Sequence, residues 1–428
     1  MRRLPFSVLL GALMLPALGA RAAGADLTPE KLLPVHEDKD AYAPDVEFGG
    51  GLYLAAWQAG RMGEGALVGC RVGKDGNALD AQPFVISDAE EDQEKPCVAF
   101  GKKGFLVVWQ DLRNNKDYDV YAARVTGEGK VLDANGILVS GSAHNQCNPS
   151  VAYDGRTFVV AWQDFRNGSC YQIYCARVSE DGRVIDPQGT LLTPKGDFRF
   201  MTAVASRGDG RSLVVWGNTA QGGIQKTEAE RYEGGAFVQD GKKVPPRVTR
   251  PWSRSRTESK HGLKRGPVYV SLAAGPTTWL QCWRNYRPFG RAGAQLDCSG
   301  RVLDKDGQRT AKDPITLHGG LHFCMDPDAV WDGKSYVAVW HDQTSNENRY
   351  NTRGEIFDQV YASRLDEKGK ALLPEPGKPY PVSGSFQSPA RRAKIATDGT
   401  GGNLIVYEKH PATADVPIRI AFRLLRAK

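Results

Sequence analysis

The sequence is short of most features that would assign it quickly. Methionine is scarce, at 5 in 428 residues, and no long apolar run follows the N-terminal stretch, so no membrane-spanning helix is expected. Apolar residues at helical spacing are nearly absent, which argues against helical bundles and doubly wound α/β folds. There is no Gly-x-Ser-x-Gly elbow, no phosphate-binding loop, no dinucleotide fingerprint and no ordered Ser-His-Asp set, so the common hydrolase and nucleotide-dependent classes find no motif here. Paired inward carboxylates of the kind a glycosidase needs do not stand out either.

Net charge is a weaker signal than it looks. The formal +7 comes from 56 Lys+Arg against 49 Asp+Glu. Arg2, Arg3 and Arg21 lie in a segment with a basic start, an apolar stretch from Leu4 to Ala20 and small residues at Ala20 and Ala22. That is the layout of a secretory signal peptide over residues 1–22. Its removal would leave about +4 and place the protein in the periplasm or outside the cell, where disulfides are permitted.

The chain repeats itself. Asn148 to Gly155, then Phe158 to Asn167 (FVVAWQDFRN), then Tyr174 to Val178 match Lys95 to Phe100, Phe105 to Asn114 (FLVVWQDLRN) and Tyr121 to Val125. The aromatic closing the second segment recurs as Trp57, Trp109, Trp162, Trp216, Trp283, Trp340 and Tyr407, at spacings of 52, 53, 54, 67, 57 and 67. Each unit holds four short β-branched and aromatic runs separated by Asp-Gly or Gly-rich turns. Four strands in about 50 residues, seven times over, predict a seven-bladed all-β propeller. The units fall at roughly 44–87, 95–140, 148–193, 200–246, 267–317, 326–383 and 389–425, in a single domain over 23–428. The last unit has only three runs. Residues 31–36 resemble an outer strand and are expected to complete that blade, closing the ring without free sheet edges.

Recurring Trp-Asp dipeptides, kelch glycine pairs and sialidase Asp-boxes are missing. The Trp-x-Asp-x-Arg-Asn and Tyr-x-x-Arg-Val pattern resembles the repeats of secreted bacterial seven-bladed propeller proteins over nearly the whole mature chain. The resemblance implies the fold and no activity.

A repeat supplies its own control, because a residue present in many blades serves the blade. Asp111 and Asp164 with Arg113 and Arg166, and Asp342 in the sixth unit, read as structural ties of the loop after the second strand. Departures are the functional candidates. The residue after the repeated aromatic is Gln58, Gln110, Gln163, Gly217, Arg284, His341 and Glu408, so the pattern breaks from the fourth unit on. All seven histidines fall in segments expected on one face, and two insertions join them there: Thr344 to Asp358, and Arg247 to Arg265, with seven Lys/Arg against one acidic residue. An acidic stretch, Asp88 to Glu94, lies on the same face.

Arg250, Trp252, Arg254, Arg256, Lys260, Lys264 and Arg265 suit carboxylate, sulfate or phosphate ligands through bidentate hydrogen bonds and stacking. For an exported protein this points to an anionic polysaccharide or surface polymer, or to an envelope or extracellular protein partner, rather than nucleic acid. The enzymatic alternative is a polysaccharide lyase. That chemistry needs a cation on a uronate and a base for its α-proton, and His261, Arg284, Tyr286, Arg287 and His341 offer those types. His318, His322 and Cys324 form a candidate zinc set, with Cys282, His341 or His261 as a fourth ligand. The eight cysteines lead one to expect disulfide staples, with Cys282 and Cys324 expected on one face.

Overall fold

The computed structural model describes residues 25–36, 39–61, 63, 65–193, 198–219, 234–244, 268–288, 294–311, 313–318, 323–344, 357–372, 379–384, 388–411, 413 and 415–427. They form seven antiparallel four-stranded blades around an axis, a seven-bladed β-propeller. No helix among them is long and apolar enough to cross a membrane. The innermost strands are Ala41–Gly49, Gln93–Phe100, Gln146–Tyr153, Phe198–Ser206, Val268–Ala274, Phe323–Trp331 and Ala390–Thr397. Each neighbours the next, and the seventh returns to the first.

Closure follows the expected route. Lys31 pairs with Phe422 and Leu32 with Ala421, so the N-terminal segment adds the outer strand to the blade of Ala390–Thr397, Gly402–Lys409 and Arg419–Ala427. Ala25–Leu27 extends along the same strand, from Ala427 to Leu425. Joining the two chain ends in one sheet pairs the outer side of Arg419–Ala427 and gives the last blade its fourth strand.

The repeated residues hold the blades in a recurrent way. The Trp109 indole N–H donates to Asp111 at 2.7 Å, and Arg113 grips the same carboxylate while lying 3.9 Å above the Tyr121 ring. Trp162, Asp164, Arg166 and Tyr174 repeat that arrangement. Charge-assisted bonds to a buried carboxylate, with a guanidinium stacked on an aromatic face, fix the loop after the second strand. A second tie joins the third strand to the start of the fourth: Arg71 to Asp80, Arg124 to Asp133 and Arg177 to Asp186. Between those partners sits a turn glycine with positive φ. At Gly182 (φ +83°) an added Cβ would come within 2.9 Å of the Arg124 side chain of the preceding blade, so glycine is required there for both backbone and space. The apolar core is divided into inter-blade clusters, such as Trp162 with Leu106, Val108 and Ala176.

The expected disulfides are not found. All eight cysteines are free thiols. Cys282 and Cys324 do enter one apolar cluster, but the thiol beside Cys324 is that of Cys298. Cys147 lies near the start of its inner strand, opposite Gln163, whereas Cys97 lies mid-strand, opposite Val108, so the two stand at different levels of successive blades. Inter-strand hydrogen bonds and apolar packing, rather than covalent staples, join these segments.

Candidate functional site

Every inner strand faces its neighbours across a narrow axis, and its free edge lines a continuous cavity of about 730 Å3. That edge carries backbone N–H groups with no fifth strand to bind them. The propeller satisfies several with side chains. The Val98 N–H donates to Asp45 Oδ2 at 2.7 Å, Val204 N–H to Ser150 Oγ at 3.0 Å, and Ile395 N–H to Asp328 Oδ2 at 3.2 Å. In each case one blade caps the edge of the next.

Strand pairing aligns these residues in a layer around the axis: Asp45, Cys97, Ser150, Ala203, Ser271, Asp328 and Lys394. Small or neutral side chains occupy four consecutive blades. The three charged ones stand on the sixth, seventh and first blades, which are neighbours. The layer two residues further along is Glu47, Ala99, Ala152, Ala205, Ala273, Val330 and Ala396. One position of seven is ionisable.

The electrostatics follow from this enclosure. Burial pushes Asp45 up to about 6, with Lys394 opposing and Asp328 adding to the rise. Burial pushes Glu47 up to about 8 despite a bond from the Phe48 N–H, and Asp45 and Asp328 push it the same way. Burial works against charge on Lys394, but Asp328 and Asp45 outweigh it and hold its pKa above the ordinary value. At neutral pH the cavity therefore favours a protonated Glu47 and a charged Lys394, whose field reaches Asp45 and Asp328.

A bulge marks the entrance of the cavity. Each described inner strand slips register near its start, and Ala43, Lys95, Asn148, Met201, Asp326 and Arg392 adopt positive φ there. Their side chains surround the mouth on the face reached by the loops entering the inner strands. The residue after the repeated aromatic explains how non-glycine residues are held in that conformation. The N–H of Asn148 donates to Gln110, of Met201 to Gln163, of Arg392 to His341 Nδ1 and of Ala43 to Glu408. In these four cases one blade fixes the bulge of the next.

This places His341 and Arg284. His341 is 3% exposed, accepts from the Arg392 N–H at 3.3 Å and lies 3.7 Å from Asp326. Burial lowers its pKa against the pull of Asp326 and Asp358. Arg284 holds the corresponding register position in the fifth blade, opposite Val268. Tyr286 and Arg287 follow on the same strand, paired with Leu296 and Gln295; their side chains lie outside the described residues. So do His261 and the basic set Arg250, Trp252, Arg254, Arg256, Lys260, Lys264 and Arg265. Of the zinc candidates, His322 lies outside as well, and His318 is described only as the end of Ile315–His318. Cys324 is fully buried beside Cys298. Among the described residues no group of three or more His, Cys, Asp or Glu is arranged to hold a metal ion.

The described rim sets two cations, Lys95 and Arg392, among the carboxylates of Glu94, Asp326 and Glu408. Lys95 is exposed and bonds Asn148 at 2.8 Å, and Arg392 bonds Glu408 at 3.0 Å. Glu408 also contacts His410 at 3.0 Å, and its charge is kept against burial by His410, Arg392 and the Ala43 N–H. The acidic stretch is in part committed to its own loop: Asp92 accepts from the N–H groups of Gly63 and Gly65.

Sequence reasoning missed the axial set of Asp45, Glu47, Asp328 and Lys394. The signal was present in the repeat, because aligning Pro44-Asp-Val-Glu-Phe with Pro96-Cys-Val-Ala-Phe, Pro149-Ser-Val-Ala-Tyr, Pro327-Asp-Ala-Val-Trp and Ala393-Lys-Ile-Ala-Thr isolates them.

No protein-family profile and no curated protein matches the sequence. Solved structures do resemble the fold. A protein of unknown function from Dyadobacter fermentans DSM 18053 superposes with a TM-score of 0.53 at 12% identity, over 95% of this chain and all of its own. The phage phi92 endosialidase gives 0.53 at 9% identity, over 95% of this chain and 70% of its own. An α-L-arabinanase of Penicillium chrysogenum, complexed with arabinobiose, gives 0.45 at 10%, over 93% and 98%. At such identities the likeness to the two structures above 0.5, the endosialidase among them, shows the fold alone.

Proposed function

We propose that this is an exported propeller that binds an anionic glycan at the bulge-ringed mouth of its axial channel. The observation that carries the reading is the mouth itself. Its rim presents Lys95 and Arg392, with His410 nearby, at bulge positions where the other described blades carry Ala43, Asn148, Met201 and Asp326. The bulge itself recurs and serves the blades, whereas the guanidinium and ammonium groups depart from the repeat and, at a concave entrance, suit carboxylate or sulfate groups. The seven Lys/Arg of 247–265 precede the inner strand of the fifth blade in the sequence and are included in this reading on their charge. The endosialidase among the structural neighbours is consistent with a carbohydrate ligand. Binding is favoured over β-elimination because His341, the candidate base, is buried and its Nδ1 is engaged by the Arg392 N–H.

Retention on immobilised polygalacturonate tests the reading. Lys95→Ala with Arg392→Ala, and separately Arg254→Ala with Arg256→Ala and Lys264→Ala, are expected to elute at clearly lower salt than the parent. Parent-like elution of both variants would overturn it, and release of unsaturated uronate product would replace binding by the lyase reading.

A further inference from the structure

We propose that the axial cavity behind the mouth receives the terminal sugar of that glycan end-on, its hydroxyl groups meeting Glu47, Asp328 and Lys394 while its acidic groups stay at the rim. The inference rests on the glycan reading and adds where, and by which part, the ligand is held.

Three observations carry it. The first is shape. The walls are seven continuous inner strands, so a chain cannot enter sideways, and about 730 Å3 lies within the range of ligand pockets. The second is the internal control of the repeat. At the register of Glu47 the other six blades carry alanine or valine. Placing one carboxyl in that layer is costly, and blade packing is achieved six times without it. Asp45 and Asp328 each spend an oxygen on a neighbouring N–H, whereas the hydrogen bond described for Glu47 is from its own chain neighbour, Phe48.

The third is unsatisfied polarity. Ser271 Oγ lines the cavity, is buried, and has no partner beyond a weak contact with the Cys282 thiol. Asp326 Oδ1, on the same wall, has none. Buried polar atoms without partners call for an occupant.

The chemistry selects hydroxyl groups. Asp326 and Asp328 supply acceptors, Lys394 supplies N–H donors, and Glu47, pushed up to about 8, is a donor at neutral pH. Sugar hydroxyls can serve both kinds. Ala99, Ala152, Ala205 and Ala273 leave room for the C–H face of a ring on the opposite wall. Asp45 and Asp328 against one lysine, with Glu47 behind them, disfavour bringing a further carboxylate inside.

Saturation-transfer NMR with methyl glycosides of neutral hexoses and pentoses, and with glucuronate, reads the cavity directly. The parent is expected to saturate ring protons of at least one neutral glycoside in preference to glucuronate. Glu47→Leu is expected to weaken that signal tenfold or more, while Glu47→Gln, which keeps a donor, holds it within a few-fold. Asp328→Asn, which keeps the acceptor for the Ile395 N–H, is a second variant whose folding does not depend on tolerance at position 47, and it too is expected to weaken the signal. The rim pair Lys95→Ala with Arg392→Ala should lose polygalacturonate retention and keep the neutral-sugar signal. Failure of the rim reading and failure of the cavity reading therefore appear in different assays. No neutral glycoside binding to the parent, or undiminished binding to Glu47→Leu, would overturn the proposal.

Discussion

Glu47→Gln is the sharpest perturbation this propeller offers. Folding raises the Glu47 pKa from 4.5 to about 8, burial being the main cause. A carboxyl whose pKa rises on folding costs the folded state nothing while it is protonated in both states and destabilises it once the unfolded chain can ionise. Below about pH 4.5 it imposes no penalty. Between 4.5 and about 8 the unfolded chain ionises while the folded protein resists, so stability falls, and above about 8 the full penalty remains. The gap converts to roughly 5 kcal/mol at about 1.36 kcal/mol per pH unit, and water in the cavity lowers the expectation to about 2–5 kcal/mol. Glutamine has the same shape and no charge to suppress. Urea unfolding of both proteins at about pH 5, 7 and 9 should therefore show near-equal stability in acid and a growing advantage for the variant with rising pH. Asp45, raised to about 6, titrates in both proteins and largely cancels. A stability difference that stays flat from acid to alkaline conditions would refute the placement of Glu47 in the cavity.

Other consequences follow from the repeat. Trp109→Ala, which empties a fully buried site and removes the bond to Asp111, should cost about 3–5 kcal/mol in chemical denaturation. His341→Gln restores the residue of the second and third blades and keeps an acceptor for the Arg392 N–H, so stability should change by less than about 1 kcal/mol. His341→Leu orphans that N–H and should cost about 1–3 kcal/mol; equal effects of the two in thermal unfolding would contradict the inter-blade role. Gly182→Ala, forced to positive φ against the Arg124 side chain, should lose about 1–2 kcal/mol. Arg166→Met breaks the grip on buried Asp164 and should cost about 1–3 kcal/mol.

The ties that hold each blade were legible in the sequence because they are local and repeated. Trp162, Asp164 and Arg166 sit within five residues, and the strand pattern around them fixes which way each points. The same locality made His341 stand out as a departure, but not its partner: the Arg392 N–H lies 51 residues on, in the next blade. Cysteine pairing illustrates the limit as well. Cys298 lies beside Cys324 because their strands meet at one parallel bridge, Leu296 to Phe323, a crossing between blades that repeat spacing does not specify.

What the sequence determined by itself is the architecture: seven units, four strands each, and an N-terminal segment with the pattern of the strand the last unit lacks. Those features follow from strand periodicity and turn chemistry, which are properties of short stretches. What only the tertiary structure decided is the axial site. Asp45, Asp328 and Lys394 are far apart in the chain and come together because ring closure seats the seventh blade between the sixth and the first. Around a narrow axis one register position from each of seven strands shares a single small volume, so charges that would be solvated on an isolated blade become mutual neighbours, and their burial shifts Asp45 and Glu47 far from their ordinary behaviour.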